Sequence, residues 1–369
     1  MRKRSASSSF LRIILGGLVL AGPGLAAFAD CQPNGTSGND TITCSDTPIQ
    51  DPDGVDGLGG DDLITLLLGA TVTGGYINGD NLDNTTVSGT SPTAGKDTID
   101  INGTMDGSVR GDAIHSGIYT GVAFAVGADD SIDVEGEVTG GVVGDLLRAD
   151  PGSGSGFPSC QALASGGADT ITIGGKVDQD VSGDAITSIG FLGAGVAVGG
   201  FDTITVKASG EVVGDLYGDD LDGISIAVAA GAIGGDDVIQ VDGKVDGSVI
   251  GDFATSELSG FFGCGGSSTA EGGNDTITVN GVVGGNVIGD GLTETDCGTG
   301  SAGSITNGDD TIVVNGEVDG TVYGDSNDGS GTGGNDQVTI EGGATGAGPG
   351  GTLHLDGGPG TDTLRFALP

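Results

Sequence analysis

The chain has 369 residues, with 11 Lys and Arg against 52 Asp and Glu, a formal charge of −41 and 80 glycines. That balance excludes general nucleic-acid binding, which needs a Lys/Arg surface to neutralise phosphate, and argues against adsorption to anionic lipid. An acidic chain poor in aromatics stays disordered unless its apolar residues are placed to pack, and here Ile and Val recur periodically.

The first element in chain order is a leader. Arg2, Lys3 and Arg4 form a basic start, an apolar stretch runs from Phe10 to Ala27, and Ala27-Phe28-Ala29 supplies a small-x-small pattern. Residues 1–29 therefore read as a signal peptide cut before Asp30. Arg12, Gly16, Gly17, Gly22 and Pro23 interrupt the apolar stretch, which disfavours a permanent membrane helix. Asp30, just before Cys31, stands where a lipidation motif needs a small neutral residue. Export, to the cell surface or beyond, places the five cysteines in an oxidising compartment. Cys31 and Cys44 are expected to bridge within an N-terminal cap, residues 30–58, which also holds a partial repeat from Gly38. Cys264 and Cys297 are a candidate pair, leaving Cys160 over. No C-x-x-C spacing occurs, which argues against structural zinc.

Residues 59–325 are a repeat region. GGNDTITVNGVVGGNVIGD (272–290) is followed by NGDDTIVVNGEVDGTVYGD (307–325), and eight copies align on Asp62, Asp97, Asp130, Asp169, Asp202, Asp237, Asp275 and Asp310. Successive steps are 35, 33, 39, 33, 35, 38 and 35 residues, yet the distance from this aspartate to a closing Gly-Asp is 15 in six of the eight copies. Length variation thus falls after the Gly-Asp, as in a solenoid whose insertions sit at one corner. D-T-I-T-V alternates polar and apolar residues as a half-buried strand does. The glycines of G-x-V-x-G-x-V-x-G-D exclude a helix, at roughly 1 kcal/mol each against Ala, and are expected to supply positive φ at corners. No copy can bury its Ile/Val row alone, so the fold class expected is all-β: a parallel β-solenoid of about eight full repeats of 33–39 residues. Whether a repeat makes one coil or two is open at this level. Apolar runs such as Val122–Val126 and Val196–Val198 are candidates for a further strand.

Stacking places each key aspartate over its equivalent. Unit charges about 4.8 Å apart repel by roughly 0.9 kcal/mol even in water-like dielectric, and a second column at Asp112, Asp145, Asp184, Asp252, Asp290 and Asp325 adds to the penalty. Cations between the rungs would reverse its sign, and an oxygen-only corner suits Ca²⁺. The rival reading is that Asp-Gly and Gly-Asp pairs merely form turns.

The C-terminal part, residues 326–369, carries partial repeats and a cap. There Gly357-Gly358-Pro359-Gly360-Thr361-Asp362-Thr363-Leu364 resembles in full the GGxGxDxU nonapeptide of the repeats-in-toxin (RTX) family, and 331–338, with Asp336, is a near match. The resemblance implies turns at Gly357, Gly358 and Gly360, and Ca²⁺ held by Asp362 and Asp336 between coils of a β-roll. The other copies share only G-x-D-x-U, and the Asp130 copy lacks its glycine, with Ala128 in that place. The long unit also resembles the strand repeats in passenger regions of bacterial autotransporters and surface adhesins. Calcium ions and cell-surface or matrix components are the partners expected, in a structural or adhesive role. A β-helical lyase or glycosidase is the alternative, but no irregular copy marks a grafted site, and His115 and His354 lack a catalytic setting. Outward pairs such as Thr170/Thr172, Thr203/Thr205 and Thr276/Thr278 raise ice binding, against which stand Asp100, Asp133, Gln240 and Val313 in equivalent places.

Overall fold

The computed structural model describes residues 35–45, 49–50, 54–84, 92, 94–118, 121–150, 160–226, 228–259, 266–295, 303–326, 331–346 and 352–367. Residues 1–29, where a leader is expected, and Cys31, Cys264 and Cys297 lie outside them. Cys44 is disulfide-bonded; its expected partner falls outside the described residues. Every regular element among the described residues is a strand, and the strands pair in parallel into stacked sheets.

One repeat makes one coil. The coil opening at Asp275 runs through Thr276–Val279, Val282–Val283, Val287–Thr295 and Ser304–Thr306 before the next begins. Its first strand lies between Val238–Val241 and Thr311–Val314, with Ile239, Ile277 and Ile312 in register. This first sheet has eleven strands, from Thr41–Cys44 to Thr363–Phe366. The Gly-x-Val stretches and the long strand through Gly-Asp build a second sheet. The variable segments contribute a third, of six strands, which includes Gly121–Val126 and Leu192–Val198.

The alternation read from sequence is the burial pattern found. Ile277 and Val279 are fully buried while Thr276 is exposed and Thr278 half-buried. Each such Ile or Val withdraws enough apolar surface to contribute about 1.5–3 kcal/mol, but only because a neighbouring coil covers it. The core has two parts. Ile and Val of the first sheet, with the Val residues of the second, form one cluster. Ala, Leu and Ile from beyond the Gly-Asp and from the third sheet form another, among them Ala232, Ala254, Ala270 and Leu292. The chain crosses between the clusters twice per coil: Asp252 falls between Val249 and Ala254, and Asp237 between Ala232 and Ile239. Each coil therefore has a waist, and the aspartates occupy it.

Candidate metal centre

The waist is assembled from both of its walls. On the return segment, the key aspartates stack in a backbone ladder. The amide of each donates to Oδ1 of the aspartate in the next coil, from Asp40→Asp62 through Asp62→Asp97 and Asp97→Asp130 to Asp310→Asp336, at 2.6–2.9 Å. On the opposite wall the Gly-Asp aspartates stand in register, Asp80, Asp112, Asp145, Asp184, Asp219, Asp252, Asp290 and Asp325. Their Oδ2 atoms accept amides from across the waist. Gly235 donates to Asp219 at 2.8 Å, and Gly308 donates to Asp290 at 2.7 Å.

Each column spends one carboxylate oxygen on the backbone and leaves the other without a partner. Oδ2 of Asp62, Asp97, Asp130, Asp169, Asp202, Asp237, Asp275, Asp310 and Asp336, and Oδ1 of all eight facing aspartates, are buried and unpartnered. These seventeen residues are no more than 3 % exposed. The carboxylates of the two walls converge: the groups Asp62/Asp80/Asp97, Asp97/Asp112/Asp130, Asp145/Asp169/Asp184, Asp184/Asp202/Asp219 and Asp219/Asp237/Asp252 each offer three carboxylate oxygens within 4.8 Å of one another.

Among the described residues no Lys, Arg or His makes an ion pair with any of the seventeen; Lys96, Arg148, Lys176, Lys207 and Lys244 pair with other carboxylates instead. A buried, unpaired carboxylate is so costly that it takes up a proton or a cation. The titration behaviour reflects this. Burial, reinforced by neighbouring carboxylates, raises Asp97 and Asp112 to about 8 and Asp130 to about 11. Burial first, then Asp202 on the facing wall and Asp219 stacked in the same column, pushes Asp184 well above the ordinary carboxylate range. At neutral pH the waist must be neutralised by something.

Most glycines of the middle repeats are explained by this site, which narrows the expectation that they supply positive φ to the end coils. Gly218 and Gly251 have no left-handed backbone; a Cβ there would lie 1.9 Å from Oδ2 of Asp237 and Asp275 respectively. Gly234 and Gly272 likewise face the carboxylates of Asp252 and Asp290, at 1.9 and 2.1 Å. The glycine two places before the key aspartate answers to the stack itself, since a Cβ on Gly235 would meet the Gly200 carbonyl oxygen at 1.3 Å. Left-handed turn geometry holds at glycines of the first coils, among them Gly54 (φ +88°), Gly60 (+108°) and Gly69 (+84°), and again near the C-terminus, with φ of +79° at Gly358 and +140° at Gly360.

The structure thus gathers Asp62, Asp97, Asp130, Asp169, Asp202, Asp237, Asp275, Asp310 and Asp336 into one buried file. Asp362 continues that file, accepting the Asp336 amide at 3.2 Å, but it is exposed on the last rung. The one full nonapeptide match therefore marks the most open position, with Gly357 packed against the Asp362 carboxylate. Sequence reasoning saw the second column as added repulsion and missed that it faces the first; the near-constant 15-residue separation was the signal. His115 lies on the outer surface between Asp83 and Asp150, 3.4 Å from each, and His354 is exposed. Cys160 is buried at the start of a third-sheet strand.

No family model, curated protein or solved structure matches this chain. The chemistry of the waist rests on its geometry.

The donor set fits a hard divalent ion. It is all oxygen, whereas zinc favours nitrogen and sulfur. Mg²⁺ dehydrates reluctantly and demands octahedral geometry, while Ca²⁺ accepts six to eight carboxylate or carbonyl oxygens in flexible arrangements. Each coil brings one aspartate from each wall, two negative charges, which one divalent ion balances.

Proposed function

We propose that the chain is an exported solenoid that takes up Ca²⁺ along its two aspartate columns and serves a structural or adhesive role at the cell surface or in the surrounding matrix. The observation that carries the calcium reading is the row of buried carboxylate oxygens without partners. Hydrogen bonding to the backbone fixes both columns with their carboxylates already grouped, so little reorganisation opposes binding. Ca²⁺ would be held by triads such as Asp219, Asp237 and Asp252, where it would replace repulsion between walls with cohesion. The resemblance to calcium-binding RTX repeats at 357–364 agrees with this. Export is supported by the basic, apolar and small-residue pattern of residues 1–29. A structural role is supported by the unbroken register of the first sheet from end to end.

Circular dichroism with thermal melting, in excess EDTA and then in millimolar Ca²⁺, tests the reading. A metal-free chain that is coil-like or melts low at neutral pH, and gains β signal and melting temperature with Ca²⁺, is expected. Equal folding and equal melting in both conditions would leave the aspartates as turn formers and end the calcium proposal.

A further inference from the structure

A second site lies on the outer surface of the second sheet, on the N-terminal coils. Two cavities adjoin there, of about 350 and 250 Å³, sharing Ser108 and Gln179. Tyr76 lines the first, and Arg110, Ser182 and Tyr217 line the second. Asn78, Arg110, Val143, Ser182 and Tyr217 are register partners in successive coils, so the trough runs along the solenoid axis over four spacings, about 19 Å.

Arg110 sets its chemistry. The guanidinium sits 3.8 Å above the Tyr76 ring centroid and makes no ion pair among the described residues. Every described lysine, by contrast, has found a carboxylate, as has Arg148. A half-buried guanidinium paired with none of the described acidic residues, in a chain that has 52, though Asp180 and Asp220 line the same cavity, is a fork of donors free to take a carboxylate from outside. The rest of the lining suits hydroxyls: Ser108, Thr139, Gln179 and Ser182 can donate or accept, and tyrosine offers a flat apolar ring beside a polar tip. Asp106, Asp180 and Asp220 also line the trough. They would accept sugar hydroxyls but repel a densely charged polyanion, so the ligand must be hydroxyl-rich and sparsely acidic.

We propose that this trough binds an extended oligosaccharide in which a uronic acid alternates with neutral sugars, the uronate carboxylate lying on Arg110 and sugar rings against Tyr76 and Tyr217. The site depends on the fold and not on the metal reading.

Titration calorimetry of the folded chain with a tetrasaccharide of alternating glucuronate and N-acetylglucosamine tests it, beside the carboxyl-reduced tetrasaccharide and oligoglutamate. The acidic tetrasaccharide should bind, Arg110→Ala should weaken it about tenfold or more, and Arg110→Lys should recover only part, for want of the planar fork. Tyr217→Ala, at the other end, should weaken the acidic and the reduced sugar alike. Circular dichroism of each variant checks that the coil is intact. No binding by the native chain, equal affinity in Arg110→Ala, or preference for oligoglutamate would overturn the proposal.

Discussion

At the scale of single residues, the waist aspartates carry opposite consequences with and without metal. Asp237 accepts the Asp202 amide through Oδ1 and leaves Oδ2 buried and spare. Asp237→Asn keeps that hydrogen bond but removes a charge. In EDTA at pH 8 the variant should melt higher than the native chain, because the cost of burying that carboxylate, bare or protonated, is gone. In Ca²⁺ it should be less stable, by about 3 kcal/mol, the cost of breaking one side of a buried charge pairing. Paired urea titrations read both signs, and a variant that moved the same way in both conditions would contradict the site. Gly218→Ala tests the same pocket sterically. Its Cβ would lie 1.9 Å from the Asp237 carboxylate, so a loss of about 2 kcal/mol is expected from overpacking, against nearly none were the glycine only a turn former with room to spare.

The pH dependence follows from the same carboxylates. Their folded pKa values lie above the ordinary 3.8, at about 6 for Asp80 and Asp336, about 7 for Asp219 and Asp325 and about 8 for Asp97, Asp112 and Asp310. Between about pH 4 and 8 the metal-free folded chain therefore holds more protons than the unfolded one, and its stability falls as pH rises through that window. Calcium competes with those protons, so the rise in melting temperature that Ca²⁺ produces should grow from pH 5 to pH 8. Thermal melts over the window in EDTA and in Ca²⁺ check both trends; a metal-free chain that strengthens with rising pH would contradict them.

At the scale of the element, the short strand was legible because two forces agree on it. Alternation places Ile239, Ile277 and Ile312 on one face, and β-branched residues suit a pleated, half-buried surface. Ile277→Ala should cost about 3 kcal/mol by transfer and cavity terms, whereas the outward Thr278→Ala should stay within about 0.5 kcal/mol; urea denaturation of the two variants measures the contrast. The third sheet was visible only as apolar runs. Segments such as Ala229–Ile233 and Ser267–Glu271 are too rich in Ala, Gly and Ser to show a clear period, and they become strands because the coils on either side hold them in register. The outward threonines do stack, Thr170 on Thr203 and Thr172 on Thr205, but Val238 and Gln240 follow them in the rows.

At the scale of the whole molecule, the fold class and the first aspartate column could be read from periodicity, while the site could not be completed. Spacing along the chain gives the rise from coil to coil, but whether two walls meet within a coil depends on how the cross-section is pinched. Asp252 and Asp237 are fifteen residues apart, and what brings them together is the partition of the core into two clusters, a property of the packed assembly. The same pinch excludes water from the carboxylates, raises the cost of leaving them bare and makes the columns a dry file for cations. The acidic composition, read first as a warning of disorder, is thereby explained in part: seventeen of the aspartates are buried at the waist.

The most direct measurement is the calcium content of the folded chain, by metal analysis after exhaustive dialysis against trace-metal-free buffer with limiting Ca²⁺ at pH 7.5, a pH chosen at about neutrality. With one divalent ion per pair of facing aspartates, about eight ions per chain are expected from the eight Gly-Asp aspartates, with one fewer in Asp237→Asn. Retention of none, by a chain that is nonetheless folded, would mean that protons neutralise the waist and that the metal account is wrong.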